Sequence, residues 1–234
     1  MKIEKEFPKG IHIIGDVHGC YKTLIALVEK LRKKDEEIPI VFCGDLIDRG
    51  PKSKEVIDFA IDNNFLCVLG NHEDMMKKEL KSPLLSISNW YLNNGGKETI
   101  KSYNSPEDDE KLNEHLDFIS KLPYYIEFPN LKITTDKERH LVVSHSSIAR
   151  YYDLRYTEDP FQIIWNRDIE HGTLPSKEPI YNVFGHTVKS EPVIEKQFAD
   201  IDTGAVFKDY KSYGNLTSIH FPSLKITKQE NIDG

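Results

Sequence analysis

Short apolar runs that end in polar clusters recur along the chain. They are IHIIGDVHG from Ile11, PIVFCGDLIDRG from Pro39, FLCVLGNHE from Phe65, HLVVSHSS from His140, IYNVFGHT from Ile180 and FADIDTG from Phe198. Runs this short, rich in Val, Ile and Phe and closed by Gly or Asp, predict buried strands. Helical patterns separate the first three: Leu24, Leu27, Val28 and Leu31 fall on one face, and Val56, Ile57, Ala60 and Ile61 repeat the spacing. Strand–helix alternation over residues 11–69 predicts parallel strands with right-handed crossovers, whose carboxyl ends collect functional residues. Residues 74–123 are instead helix-prone and charged. Ser105, Pro106, Glu107 and Asp108 mark a helix start, and Leu112, Leu116 and Ile119 give that helix an apolar face. The expectation is an α/β protein, one domain over 1–234 with a helical insertion at about 74–123, and strands resuming near Tyr124.

Composition removes several classes. Of 234 residues, 38% are hydrophobic and 29% charged, which excludes a disordered or fibrous chain. A net charge of −7 argues against a protein that grips nucleic acid through its phosphates. The amino-terminal MKIEKEFPKG has no long apolar stretch, and the longest apolar runs fall far short of the roughly 20 residues that span a membrane. Cys20, Cys43 and Cys67 have no CxxC spacing and read as reduced core cysteines. A cytoplasmic protein is expected, with no membrane partner and as a monomer.

The polar clusters hold the chemistry. Asp16 and His18, Asp45, Asn71 and His72, His145 and His186 each lie at the end of a different apolar run. Carboxylates, imidazoles and an amide suit divalent transition metals, and the set is too large for one tetrahedral ion and right for two. Asp45, with two carboxylate oxygens, could bridge them. Gly15, Gly44, Gly70 and Gly185 each precede a candidate ligand, where a sharp turn is expected. Two divalent ions, less two carboxylates and a hydroxide, leave about one positive charge. Arg49 adds another, which makes a trap for a phosphate dianion.

GDVHG at 15–19, GDLIDRG at 44–50 and GNHE at 70–73 resemble the three signature motifs of the calcineurin-like metallophosphoesterases. The Asp-Arg-Gly of the second is similar to the serine/threonine protein phosphatase branch and its bacterial relatives. His145 after LVVS, Arg167 in IIWNRD, FGHT at 184–187 and IDTG at 201–204 extend the resemblance over about 11–217. NGGKET, ending at Thr99, and LPYYIE resemble the bacterial and phage-type members. The resemblance implies a sandwich of two mixed sheets flanked by helices. It implies that Asp16, His18 and Asp45 hold one metal, and that Asp45, Asn71, His145 and His186 hold a second. Mn²⁺ is the expected ion, with Fe²⁺ and Zn²⁺ as alternatives. It further implies His72 as general acid oriented by Asp48, Arg49 and Arg167 as phosphate ligands, and in-line attack by a metal-bridging hydroxide.

The expected activity is a phosphatase for phosphoserine and phosphothreonine, with symmetrical scission of diadenosine tetraphosphate second and a non-catalytic phosphate-binding module third. Two departures stand out. Ser146-Ser147 replace the family's Ala-Gly, which is expected to alter the rim of the site, and Lys208–Ser212 lengthen the loop after IDTG. Asp202 is read as a turn residue beside the site, His171 as solvated, and Met75 and Met76 as core. His12, His115, His140 and His220 are given no role.

Overall fold

The computed structural model describes residues 1–33, 38–81, 91–105, 108–153, 163–167 and 177–233. Among these, ten strands form two mixed sheets. In the first, β1 (Ile11–Ile14), β2 (Ile40–Phe42) and β3 (Leu66–Cys67) run parallel, as the alternating pattern predicts. β9 (Asn215–Phe221) pairs antiparallel with β1, and β10 (Lys225–Glu230) with β9. The second sheet has the order β4 (Tyr125–Ile133), β5 (Asp136–Ser144), β6 (Ile180–Phe184), β8 (Phe198–Asp200), β7 (Val193–Ile194). Its central pairs, β5 with β6 and β6 with β8, are parallel.

The alternation of side chains along each strand sorts them into two cores. Ile11 and Ile13 of β1, with Val41 and Cys43, meet Ile126, Leu141, Val143 and Tyr181 of the facing sheet. Ile14 and Phe42 point the other way, onto α1 (Tyr21–Arg32) and α2 (Ser53–Asp62). Leu24, Leu27, Val28 and Leu31 of α1 are fully buried there, each worth about 1.5–3 kcal/mol relative to exposure. On α2, Val56, Ile57 and Ala60 are buried, while Ile61 sits half-buried at the margin. No side chain at the N-cap of α1 caps it. The carboxylate of Asp233 does so from the far end of the chain, accepting hydrogen bonds from Lys22 N and Thr23 N at 3.0 Å and Thr23 Oγ1 at 2.6 Å.

After β3 come α3 (Asn71–Lys81), a π-helical turn (Leu92–Gly96), α4 (Lys97–Ser102) and α5 (Asp108–Lys121). Pro106 and Glu107 lie outside the described residues, and α5 begins at Asp108. Its Ile119 is buried, with Leu112 and Leu116 packed against the same core. A short α6 (Ala149–Tyr152) follows β5. No helix among the described residues is long and apolar enough to cross a membrane. Cys20, Cys43 and Cys67 are free and buried, and so are Met75 and Met76.

Candidate metal centre and active site

The carboxyl ends of β1, β2 and β3 meet those of β5, β6 and β8 at one edge of the sandwich. Hydrogen bonds join the two sheets there: His145 Nδ1 to Cys43 O at 2.8 Å, and His186 N to the Asp16 carboxylate at 3.2 and 3.3 Å. The polar clusters that terminate the strands therefore converge. Convergence has a conformational cost. His18, Asp45, Asp48, Arg49 and His186 all adopt left-handed backbone (φ 47°, 49°, 71°, 67° and 70°), five of the seven non-glycine residues that do so among those described. Each such residue costs about 1–2 kcal/mol. The turns fall on the candidate ligands themselves. Of the four glycines expected to turn there, only Gly44 is left-handed (φ 89°). At Gly70 and Gly185 the constraint is space, since a Cβ would lie 2.2 Å from Asp45 Oδ1 and 2.1 Å from Asp16 Oδ1.

Glu73 holds the strained turn after β2. Its buried carboxylate accepts hydrogen bonds from Asp45 N (2.9 Å), Leu46 N (2.8 Å), Ile47 N (3.3 Å) and Gly70 N (3.0 Å). Burial and the neighbouring Asp45 push its carboxyl up to about 8. Glu73 closes the GNHE motif, but nothing in the local pattern says that its carboxylate folds back on another loop.

Two pockets share Asp45. Ligand-type atoms of His18, Asp45 and His72 lie within 4.8 Å of one another, and so do those of Asp45, His145 and His186. In the first pocket His18 Nδ1 donates to Ile47 O at 2.8 Å, which leaves the lone pair on Nε2, 3.6 Å from Asp45 Oδ2. In the second, His145 Nδ1 donates to Cys43 O at 2.8 Å, so its Nε2 is the acceptor. That atom lies 2.8 Å from Asn71 Oδ1, 3.1 Å from His186 Nδ1 and 3.4 Å from Asp45 Oδ1. His186 Nε2 is buried without a hydrogen-bond partner. A carboxylate, an amide oxygen and two imidazoles gathered this closely form a donor set that fits divalent metals.

The electrostatics agree. Burial lowers His18, His145 and His186, the last to about 2, so all three rings are held neutral, as ligands must be. Asp45 is buried among the rings of His145, His72, His18 and His186, and its Oδ1 accepts from His72 N at 3.1 Å. Asp16 stands apart from the two pockets. Its oxygens accept from His186 N at 3.2 and 3.3 Å, and burial with Asp202 and Asp45 nearby pushes it well above the usual range. Asp202 is itself raised to about 6 by burial, and accepts from Gly204 N at 2.9 Å as a turn residue does.

Beside the first pocket, His72 Nδ1 lies 2.6 Å from Asp48 Oδ2, and its Nε2 faces Asp45 Oδ2 at 3.8 Å. The other oxygen of Asp48 accepts from Thr99 Oγ1 at 2.5 Å and Tyr91 Oη at 3.0 Å. Asp48 N donates to Ser53 Oγ (3.0 Å) and Thr99 Oγ1 (2.9 Å). Thr99 thus gives NGGKET a physical purpose, and Gly95 O of the same motif accepts Arg49 N at 3.1 Å. Arg49 projects its guanidinium against His18 Nε2, and Arg167 Nη1 reaches His186 O at 3.4 Å. Ser146 and Ser147 are buried and line no rim. Asn166 N donates to Ser146 Oγ (3.1 Å) and Asn166 Nδ2 to Ser147 O (2.8 Å), fixing the segment that carries Arg167. His171 lies outside the described residues. His115 is buried in a structural clamp between Tyr103 Oη (2.6 Å) and Asp58 Oδ1 (3.0 Å).

Comparison with known proteins bears on this geometry. The asymmetrical bis(5'-nucleosyl)-tetraphosphatase PrpE of Bacillus subtilis (strain 168) is 32% identical over 238 residues, covering 91% of each chain. Serine/threonine-protein phosphatase 1 of Salmonella typhimurium is 26% identical, covering 88% of this chain and 91% of its own. A solved structure described as that of a candidate diadenosine tetraphosphatase superposes with a TM-score of 0.71 at 20% identity, covering 100% of this chain and 99% of that one. The family model for calcineurin-like phosphoesterases matches residues 10–190, a span that takes in the ends of β1, β2, β3, β5 and β6 and stops short of β8. The chain belongs to the calcineurin-like phosphoesterases, hydrolases that work through a dinuclear metal centre.

Proposed function

We propose that the protein hydrolyses bis(5'-nucleosyl) tetraphosphates asymmetrically, releasing a nucleoside monophosphate and a nucleoside triphosphate. The observation that carries this reading is the near end-to-end similarity, at 32% identity, to a tetraphosphatase of that specificity. The sequence alone ranks phosphoserine and phosphothreonine first and symmetrical scission second. The 26% identity to a Salmonella phosphoprotein phosphatase supports that activity as the second reading.

In this reading Asp16, His18 and Asp45 would hold one ion, and Asp45, Asn71, His145 and His186 the other. Two divalent ions there would supply positive charge for the phosphoryl oxygens and a lowered pKa for the attacking water. Arg49 and Arg167 bind the non-bridging oxygens of the reacting phosphate. A water oxygen forms a bond to the terminal nucleoside's phosphorus as the bond from that phosphorus to the bridging oxygen breaks. His72 gives a proton to the departing oxygen, and Asp48 fixes its ring with Nε2 toward the site. Mn²⁺ is the first ion to load, with Fe²⁺ and Zn²⁺ as comparisons.

The test is a side-by-side assay of the Mn²⁺-loaded protein on diadenosine tetraphosphate and on phosphoserine and phosphotyrosine peptides. The expected result is a kcat/KM for the dinucleotide at least about tenfold above either peptide, with AMP and ATP as products. A phosphoserine peptide favoured by the same margin reverses the ranking, and two ADP per turnover overturns the asymmetry.

A further inference from the structure

Between β8 and β9 the chain leaves the site and returns through a loop built by repetition. Phe207 N donates to Gly204 O (2.8 Å), Tyr210 N to Phe207 O (3.0 Å) and Tyr213 N to Tyr210 O (3.0 Å), and Gly214 N closes the loop on Gly204 O at 3.0 Å. Each turn of three residues therefore sets one aromatic ring. The innermost ring, Phe207, lies 5.5 Å from the Arg49 guanidinium. Tyr210 stands edge-on to Phe207 with centroids 6.1 Å apart. Tyr210 and Tyr213 face water, 64% and 38% exposed, the only exposed aromatic side chains of Phe, Trp or Tyr among the described residues. Lys211 is exposed between them, and Lys208 donates to Asp233 O at 2.6 Å. The loop also walls a groove of about 530 Å³ lined by Tyr213, Lys208 and Lys211 and, across from them, by Glu191, Glu230 and Asn231, so that it is polar with both signs of charge.

Phe207 against the phosphate-binding arginine, Tyr210 edge-on to it, and Tyr213 at the neck of the loop beside an open polar groove match a ligand with phosphate at one end and a flat aromatic group farther out. We propose that the 204–214 loop is the subsite for the distal nucleoside of the substrate, its base stacked on Tyr210 and Tyr213 and its ribose in the groove. This rests on the tetraphosphate reading. Every base has a π-face, so stacking tolerates different bases, and guanine and adenine dinucleotides are expected to serve alike. Lys211 supplies charge for the phosphates between the two nucleosides.

The test compares the Mn²⁺-loaded wild type with Tyr210→Ala/Tyr213→Ala on diadenosine tetraphosphate, adenosine 5'-tetraphosphate and a phosphoserine peptide. Adenosine 5'-tetraphosphate lacks the distal nucleoside. Thermal unfolding checks the fold, which the loop's backbone bonds maintain. The expected result is a loss of about tenfold or more in kcat/KM for the dinucleotide, carried mainly by KM, and a smaller loss for adenosine 5'-tetraphosphate. An unchanged dinucleotide rate, equal losses on the two nucleotides, or a larger loss on the peptide overturns the subsite. A wild type that prefers the peptide overturns the tetraphosphate reading and the subsite with it. A wild-type preference for the dinucleotide that the substitution leaves undiminished overturns the subsite alone.

Discussion

On one flank of Asp45 stand His18, Asp48 and Arg49, delivered by tight left-handed turns after β1 and β2. On the other stand Asn71, His145 and His186, delivered by the start of α3 and the ends of β5 and β6. The turn flank leans on Ser53, five residues beyond Asp48, and on groups farther away in sequence, namely Glu73 under the backbone and Tyr91 and Thr99 around Asp48. On the strand-end flank His145 is oriented by the Cys43 carbonyl of the facing sheet, and one left-handed residue, His186 (φ 70°), completes the set. The comparison teaches that the candidate metal ligands on one side are placed mainly by the sheets, with one strained residue at His186. The candidate acid His72 on the other side depends on Asp48, which is held by Ser53 of α2 and by Tyr91 and Thr99 of the segment after α3.

The largest effect that sharpens this contrast is at His72. His72→Asn should lower kcat on a phosphoserine peptide by about 10²–10⁴-fold, the range for a positioned general acid. The loss should shrink for p-nitrophenyl phosphate, whose leaving oxygen scarcely needs a proton, and metal content should be kept. Loss of a metal ion, or equal slowing of both substrates, contradicts the assignment. Thr99→Val comes next, with a loss of about 10–100-fold and the same dependence on leaving group, since it disturbs Asp48 and, through it, the His72 ring. A fall in thermal stability with no change in leaving-group dependence would reduce Thr99 to a packing role. Glu73→Ala leaves several buried N–H groups without acceptors on the turn flank, each worth about 1–3 kcal/mol, and calorimetry should find a lowered Tm. The smallest effect is remote from both flanks: Asp233→Ala uncaps α1 and should cost about 1 kcal/mol while the protein keeps its metal stoichiometry. Loss of metal in that variant would tie the C-terminal segment to the centre.

The same contrast explains what the sequence revealed. Strand ends are legible because an apolar run stops at a polar residue, and Asp16, Asp45, Asn71, His145 and His186 all follow such runs. Parallel pairing of β1 to β3 follows from the helices between them. The setting of Asp48 is not legible, because the bonds to it from Tyr91 and Thr99 span 43 and 51 residues and depend on how α4 docks. The left-handed ligands are hidden too: sequence points to the neighbouring glycines, whereas the strain sits on His18, Asp45 and His186. Ser146 and Ser147 mislead for a similar reason, since a polar pair beside a ligand reads as exposed until the segment carrying Asn166 is seen bonded to it.

The central claim is that the two flanks form two metal pockets joined by Asp45. Metal analysis of Mn²⁺-loaded protein after desalting tests it directly, across wild type, Asn71→Ala and Asp45→Asn. The account predicts two ions per chain in the wild type, as in other two-metal hydrolytic sites, one in Asn71→Ala, and weakened binding at both positions in Asp45→Asn. A single tightly held ion in the wild type, with occupancy unaffected by Asn71→Ala, would contradict it.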